Sequence, residues 1–331
     1  MSEQYGIALI MPAHNEEEYL EDTISSIPDM IDFVLFINDG STDSTFKTAE
    51  ECLIKTGRTN FGNSISKLSF KIINQENRGV GSAVCRGFKE IIELDKNKIL
   101  KKQFPKKNKW IIIIMDSDGQ MDSNDIPSLI KPLLDNSADH VKGNRIGLEG
   151  MPKIRKFGSY LLKKLMRVAS GYPAINDTQC GFRAINLDMI KTWDFKKIWN
   201  GYGYTNWWLL ESGRRSFKLK EVPVKSIYKG EKSKLKIRSF FPSVSFLIFT
   251  SLWKRGWQWY VLGKGTESKK LRIIFCTVWF SSILTLTFMI LFNKYWILLL
   301  IYSILGFSIA RKLDFNESER RLNLLKSPAI D

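Results

Sequence analysis

Two aspartates separated by one residue, Asp116 and Asp118, are the part of this sequence most suited to chemistry. They directly follow the apolar segment 110–115, whose run of isoleucines predicts a strand buried on both faces. On an extended segment the two carboxylates point the same way and can share one hard cation, such as Mg²⁺, which takes oxygen ligands. The alternative is a strand that ends in an ordinary polar turn, since Asp, Ser and Gly all favour turns.

Strands and helices alternate around this pair. Strands are predicted over residues 7–11, 33–37 and 69–73, and each is followed by a polar junction and a helix. Asn15 is expected to cap the first helix, and the lysine-rich residues 96–109 are expected to form a surface loop. The alternation predicts an α/β domain with a mainly parallel sheet.

The polar junctions should meet at one edge of that sheet, because ligands of parallel sheets bind beyond the carboxyl ends of the strands. The junctions at 12–16, 38–41 and 116–118 supply Asp, Asn and Glu, which suit a base, a ribose and a metal-bound diphosphate. No G-x-G-x-x-G follows the first strand and no G-x-x-x-x-G-K-[ST] occurs. The sequence therefore predicts neither a nicotinamide dinucleotide site nor a P-loop.

Charge and cysteine content narrow the classes of partner and compartment. The 331 residues carry a formal charge of +16, which indicates a polyanionic partner: nucleic acid, a phosphate-bearing substrate or an anionic membrane. Four cysteines without C-x-x-C spacing argue against a disulfide framework or a zinc site and favour a reducing compartment. Two histidines are too few for a histidine-rich metal site, and no signal peptide is expected.

The C-terminal third predicts membrane association. Residues 240–262 mix aromatic and basic side chains, as an interfacial helix does, and 273–292 form an uncharged stretch long enough to span a bilayer. A second apolar run, 295–310, is short for a span. Basic residues flank this hairpin on both sides, so the positive-inside rule places both flanks and the catalytic domain in the cytoplasm. A hairpin packed inside a soluble core is the alternative.

Four regions follow from this pattern. They are a catalytic domain (1–238), juxtamembrane interfacial helices (239–270), a transmembrane helical hairpin (271–312) and a loose polar cytoplasmic tail (313–331).

Five motifs occur in an order that resembles a known family. They are P-A-H-N-E-E at 12–17, N-D-G-S-T-D-S-T at 38–45, N-R-G-V-G-S-A at 77–83, D-S-D-G-Q at 116–120 and D-T-Q-C-G-F-R at 177–183. Together they resemble family 2 glycosyltransferases of the GT-A fold, and among these the polyprenyl-phosphate or dolichyl-phosphate mannosyl- and glucosyltransferases. The resemblance spans about residues 5–240 and implies a GT-A sheet flanked by helices.

The resemblance also implies a nucleotide-sugar site with Mg²⁺ or Mn²⁺. The implied metal ligands are Asp116, Asp118 and Gln120. The residues implied to bind the nucleotide are Pro12, His14, Glu16, Asp39, Arg78, Asp116 and Ser117. The predicted catalytic residues are Asp118, Arg145 and Asp177.

Two basic segments are expected to handle phosphates. Arg155 and Ser159 lie four residues apart on a predicted amphipathic helix and could grip one phosphate with Arg145 opposite. The family carries a similar arrangement for the acceptor phosphate, and a mobile basic segment in which Lys232 and Lys234 would neutralise the leaving diphosphate. Ordinary solvated basic surfaces are the alternative for both segments.

Asp177 has two interpretations. In inverting transferases that act on alcohols, a carboxylate near this position removes the hydroxyl proton. A lipid phosphate needs no such base, since its second pKa near 6 leaves it largely dianionic. Asp177 could then orient Arg183 or the sugar, or make only contacts that stabilise its loop.

The leading hypothesis is an inverting, metal-dependent hexosyltransferase. It would transfer a hexose from GDP-mannose or UDP-glucose to polyprenyl or dolichyl phosphate as a multi-pass membrane protein in contact with lipid. A membrane-bound family 2 transferase that acts on a hydroxyl of a glycan or lipid-linked sugar is the alternative. A third hypothesis is a basic, membrane-anchored binding protein. With the leading hypothesis no nucleic-acid partner is expected, and the chain could form a homo-oligomer.

Overall fold

A mixed sheet of eight strands forms the centre of the first of two structural units. The structure, a computed structural model, describes residues 4–61, 68–145, 153–195, 203–225, 227, 237–291 and 295–326. The first unit comprises residues 1–156, 176–208 and 217–244, and the second comprises 157–175, 209–216 and 245–331.

The sheet is mainly parallel, as predicted. Its strands are β1 (Tyr5–Ala13), β2 (Phe33–Asp39), β3 (Thr59–Asn60), β4 (Ser69–Gln75), β5 (Lys109–Ile114), β6 (His140–Arg145), β7 (Arg183–Asn186) and β8 (Leu219–Val224). Their spatial order is β3-β4-β2-β1-β5-β7-β6-β8. Only β7 runs antiparallel to its neighbours, β5 and β6. In the register of β6, β7 and β8, charged residues that are far apart in the sequence lie side by side.

Eleven helices occur in the part of the chain that the structure describes. They are α1 (Glu17–Ser25), α2 (Thr45–Lys55), α3 (Val80–Lys96), α4 (Ile99–Gln103), α5 (Ile126–Leu134), α6 (Lys153–Ser170), α7 (Leu187–Lys191), α8 (Tyr204–Arg214), α9 (Ile237–Gly256), α10 (Lys269–Leu291) and α11 (Trp296–Lys326). A 3₁₀ turn covers Ser123–Asp125, and a π-helical turn covers Trp257–Val261.

The central strands are buried on both faces, which is what their unbroken apolar sequences predict. All four isoleucines 111–114 of β5 are fully buried. Alternate residues of β5, Ile111 and Ile113, pack in one core cluster with the apolar sides of α1 and α5. On the other face α3 approaches β1 closely, because a Cβ at Gly87 would lie 2.7 Å from Cγ2 of Ile10.

Two local predictions are wrong in this unit. The stretch 96–109 is not a continuous loop, since it contains α4. Asn15 does not cap α1; Glu16 holds that position, and Asn15 adopts a left-handed φ of 57°. The Asn15 amide instead donates to Ser41 Oγ (3.0 Å), and its Oδ1 accepts from the Thr42 amide (2.8 Å). Asn15 therefore ties the junction after β1 to the junction after β2.

The second unit contains the apolar C-terminal helices. Among the described residues, two segments are long and apolar enough to cross a membrane, Lys269–Met289 and Trp296–Asn323, and few of their side chains are buried. The two helices pack through small residues: a Cβ at Gly306 would overlap Ser282 Oγ. The expectation of a loose tail from residue 313 is wrong as far as Lys326, because α11 continues to that residue. The same continuation makes the second apolar helix longer than the run 295–310 suggested.

Candidate active site

The acidic pair lies where β5 ends. Asp116 and Asp118 are both partly buried. Oδ1 of Asp116 is buried without a hydrogen-bond partner among the described residues. Burial and the charges of Asp118 and Glu16 raise the pKa of Asp116 to about 7, although Arg145 opposes this. A divalent cation beside the pair would stabilise both carboxylates as anions.

The residues around this pair fit a divalent metal that is held partly by substrate. Within the described ranges, no three or more His, Cys, Asp or Glu side chains surround one point. A cation here would therefore take Asp116 and Asp118 and complete its shell with other oxygens, as Mg²⁺ commonly does with substrate phosphates. Gly181 keeps the space beside the pair open, since a Cβ there would lie 3.3 Å from Oδ2 of Asp116.

A polar cleft adjoins the acidic pair. Its lining includes Gln120, Arg145, Tyr204 and Lys225 together with both aspartates. Two cations and two carboxylates in one cleft suit a diphosphate bound through a metal. Burial and the charge of Asp116 raise the pKa of Tyr204 well above its usual value, so its hydroxyl remains a neutral donor.

Sequence reasoning missed Tyr204 as a cleft residue. The aromatic residues at 202–208 are typical of core packing, and this holds for Trp207 and Trp208, both buried against Trp193. Tyr204 differs because it is at the start of α8 and lines the cleft. The preceding Gly203, with a φ of 90°, was the available signal that the chain turns there.

The junction after β2 forms the other side of the predicted nucleotide site. Both oxygens of the Asp39 carboxylate accept hydrogen bonds: Oδ1 from Gln75 Nε2 (2.7 Å) and the Arg78 amide (2.9 Å), and Oδ2 from the Gly79 amide (2.8 Å). His14 Nδ1 donates to the Asp39 carbonyl (2.9 Å), since a carbonyl only accepts. The structure thus brings together His14, Asp39 and the main chain of Arg78, and their role in binding a nucleotide stays a prediction.

The remaining predicted nucleotide residues lie near these junctions. Pro12 is buried in β1, opposite Ile37 of β2. The Glu16 amide donates to Thr45 Oγ1 (2.9 Å), and the Glu16 charge acts on Asp116. Ser117 is buried, and its hydroxyl has no partner among the residues described. β1 and β5 are parallel neighbours with Ile10 opposite Ile114, so the first and third junctions leave the sheet at the same edge.

Asp177 forms a tight ion pair with Arg145. Its Oδ2 accepts from Arg145 Nε (2.6 Å) and its Oδ1 from Arg145 Nη2 (3.0 Å). The amides of Gln179 (3.0 Å) and Cys180 (3.1 Å) also donate to Oδ1. Burial alone would raise the pKa of Asp177, but the hydrogen bonds and charge of Arg145 outweigh it and hold the pKa at about 2. The partner of Asp177 is thus Arg145, and the suggestion that it orients Arg183 is wrong.

Part of the predicted acceptor site lies beyond the described side chains. Arg155 and Ser159 fall within the backbone of α6, but their side chains lie outside the described part of the structure. Lys232 and Lys234 lie outside the described residues altogether. Their roles in binding phosphate stay predictions.

Solved structures share this fold. Glucosyl-3-phosphoglycerate synthase from Mycobacterium tuberculosis, in complex with Mn²⁺, UDP and glucosyl-3-phosphoglycerate, is similar with a TM-score of 0.50. The likeness covers 76% of this chain and 79% of that one at 17% identity. At this identity it shows the fold, which is the predicted GT-A class.

Sequence comparison then gives the family. Residues 8–193, more than half of the chain, match the family described as Glycosyl transferase family 2, so the protein belongs to that family. It is 28% identical over 230 residues to a UDP-N-acetylglucosamine--dolichyl-phosphate N-acetylglucosaminyltransferase of Methanococcus voltae, covering 67% of this chain and 86% of that protein. A dolichol-phosphate mannosyltransferase of Pyrococcus furiosus is 27% identical over 198 residues, covering 56% of this chain and 47% of that protein.

Proposed function

We propose that the protein transfers a hexose from a nucleotide-sugar to polyprenyl or dolichyl phosphate with inversion, and releases a nucleoside diphosphate. GDP-mannose and UDP-glucose are the donors expected from the sequence. The relative that uses UDP-N-acetylglucosamine, by its name, adds that sugar to the donors to be tested. The names of the relatives support a dolichyl-phosphate acceptor.

The proposal rests on the pKa and the hydrogen bonds of Asp177. An alcohol acceptor needs a general base, and a useful base has a pKa near the working pH. Asp177 has a pKa of about 2, and both of its oxygens already accept hydrogen bonds. A phosphate acceptor is anionic without any base. The site therefore favours a phosphate oxygen as the nucleophile that attacks the anomeric carbon.

Arg145 is the group that would receive this phosphate. Asp177 fixes its guanidinium in a bidentate pair, and the Arg145 side chain remains 32% exposed. Arginine is suited to bidentate phosphate binding. Arg155 and Ser159 would complete the grip from α6. Asp177 then acts by orienting Arg145.

The leaving diphosphate is stabilised at the acidic pair. Asp116 and Asp118, with Gln120, would hold Mg²⁺ or Mn²⁺, which when bound supplies Lewis-acid neutralisation of the diphosphate. Solved structures of the M. tuberculosis glucosyl-3-phosphoglycerate synthase, which shares this fold, contain Mn²⁺ or Mg²⁺ with UDP. Lys225 lines the same cleft, and Lys232 and Lys234 are proposed to close over the diphosphate from the following segment.

The second unit supplies a place for the lipid. An apolar cavity there is lined by aromatic side chains, including Trp253, Trp257, Phe275 and Trp279. Such a surface fits a polyprenyl chain, and α10 and α11 are proposed to anchor the protein as a multi-pass hairpin. The basic flanks of the hairpin support a cytoplasmic location for the catalytic domain.

A donor panel tests this function. Membranes containing the protein are incubated with polyprenyl phosphate and labelled GDP-mannose, UDP-glucose or UDP-N-acetylglucosamine, with Mg²⁺, with Mn²⁺ or with a chelator. We expect label in the organic phase with one donor, and its loss with the chelator and in Asp118→Asn. Organic-phase label from no donor, or label that survives Asp118→Asn with the chelator, would contradict the proposal.

A further inference from the structure

Three charged side chains lie next to one another across strands β7, β6 and β8. The sheet register pairs Lys142 of β6 with Arg183 of β7 on one side and with Glu221 of β8 on the other. Arg183 and Lys142 are fully buried, and the side chain of Glu221 is 13% exposed. We call these three residues the charged row. Charged side chains are seldom buried to this extent unless they are paired.

The charged row binds the main chain of one short segment, residues 176–180. Lys142 Nζ donates to the Asp177 carbonyl and to Glu221 Oε1 (3.0 Å). The Glu221 carboxylate accepts from the amides of Asn176 (2.8 Å) and Asp177 (3.1 Å). Arg183 Nε donates to the Cys180 carbonyl (2.9 Å). All three members of the row therefore hold this segment.

The segment in turn fixes Arg145. The main chain of Asp177 is bound on its amide side by Glu221 and on its carbonyl side by Lys142. The Asp177 side chain then binds the Arg145 guanidinium in a bidentate pair. Two contacts thus connect a fully buried lysine to the partly exposed arginine of the cleft.

We propose that Lys142 and Glu221 are positioning residues, which fix Asp177 so that it presents Arg145 to the acceptor phosphate. This inference rests on the proposed function. Packing alone does not require the charges, because a buried ion pair can often be replaced by apolar side chains of similar size without loss of stability. The hydrogen bonds that Lys142 and Glu221 make with the main chain of Asn176 and Asp177 do require these two charged side chains. The pair therefore acts on the acceptor side of the reaction and not on the nucleotide side.

The first test removes the pair and compares acceptor with donor kinetics. In Lys142→Met/Glu221→Met both charges of the pair are replaced by unbranched apolar side chains, so neither partner is left buried without the other. We expect kcat/KM for polyprenyl phosphate to fall about 10- to 100-fold, as for the loss of hydrogen bonds to charged groups. The KM for the nucleotide-sugar should stay close to that of the wild type, and circular dichroism should show a folded protein. Wild-type acceptor kinetics in this double variant would overturn the inference.

A matched pair and a milder variant control for folding. Lys71 and Glu90 form an ion pair (2.6 Å) between β4 and α3 of the same unit. Lys71→Met/Glu90→Met should leave the acceptor kinetics unchanged. If the first double variant does not fold, Glu221→Gln keeps the side-chain volume and should still raise the acceptor KM. An unchanged acceptor KM in Glu221→Gln would overturn the inference.

Hydrogen exchange separates this inference from the proposed function. The amides of Asn176 and Asp177 donate to Glu221, so their exchange should become faster in Lys142→Met/Glu221→Met. Unchanged exchange at both amides would overturn the positioning role, whatever the acceptor is. Faster exchange in the variant, with no transfer to polyprenyl phosphate by the wild type, would overturn the proposed function and support the role of the pair in holding the segment.

Discussion

The substitution Asp177→Asn distinguishes a residue that orients Arg145 from a general base. It keeps the size of the side chain but removes the charge from the bidentate pair, whose bonds measure 2.6 and 3.0 Å. Hydrogen bonds to charged groups contribute about 1.5–3 kcal/mol each. Loss of one such bond should lower kcat/KM for polyprenyl phosphate about 10- to 100-fold. Loss of a general base would reduce kcat itself, by up to about 10⁴-fold.

The assay is initial-rate transfer with polyprenyl phosphate and nucleotide-sugar varied separately. We expect the acceptor KM to rise in Asp177→Asn, with the donor KM unchanged and clear residual turnover. Asp139→Asn is a matched control, because the Asp139 carboxylate also accepts a main-chain hydrogen bond in the same unit, from Lys218 (2.8 Å). A loss of more than about 10³-fold in kcat at an unchanged acceptor KM would refute the reasoning, since that is the behaviour of a base.

The same substitution has a pH-dependent effect on stability. The folded-state pKa of Asp177 is about 2, below the ordinary value of 3.8. A lowered pKa contributes stability above the unfolded pKa, and that stability is lost as the pH falls from about 4 to about 2. At about 1.4 kcal/mol per pKa unit, Asp177→Asn should cost about 2 kcal/mol at pH 7 and progressively less below pH 4. Thermal unfolding of both proteins in detergent between pH 7 and pH 2.5 measures this, and a constant difference would contradict it.

Three further predictions concern the metal site and the second unit. Asp118→Ala should abolish transfer at any Mg²⁺ or Mn²⁺ concentration while circular dichroism stays native; transfer restored by excess metal would contradict the ligand role. Gly181→Ala places a Cβ 3.3 Å from Oδ2 of Asp116 and should weaken Mn²⁺ binding, measured by electron paramagnetic resonance titration, about tenfold; unchanged binding would place the metal elsewhere. Asp314→Asn removes the partner of fully buried Arg255 (2.9 and 2.8 Å) and should destabilise the protein by about 3–5 kcal/mol, lowering its unfolding temperature in detergent; an unchanged temperature would show that the pair is dispensable.

The sequence was sufficient to predict features that depend on residues close together in the chain. The isoleucine run before Asp116 predicts a buried strand, since only a central strand of a covered sheet buries both faces. The meeting of His14 with Asp39 followed from the general rule on strand ends. The prediction that Asn15 caps α1 was wrong because Asn15 bonds to Ser41 and Thr42, which belong to another junction. These contacts override the preference of Asn for the start of a helix.

Contacts between distant segments could not be predicted. Lys142 and Glu221 are 79 residues apart, and they meet only because β6 pairs with β8 in one particular register. The Arg145–Asp177 pair depends on a segment whose course is set by that same row. α11 extends beyond the apolar run 295–310 because a helix continues through polar residues until a breaker, and no Gly or Pro occurs between residue 310 and Pro328.

Phosphorus NMR of the lipid product tests the central claim most directly. The account predicts that the phosphomonoester signal of polyprenyl phosphate converts to a phosphodiester signal as the sugar is transferred, because the phosphate oxygen forms the new bond. The reaction in Asp177→Asn should give the same product more slowly. A lipid that remains a phosphomonoester while the sugar appears on a hydroxyl group would contradict the account.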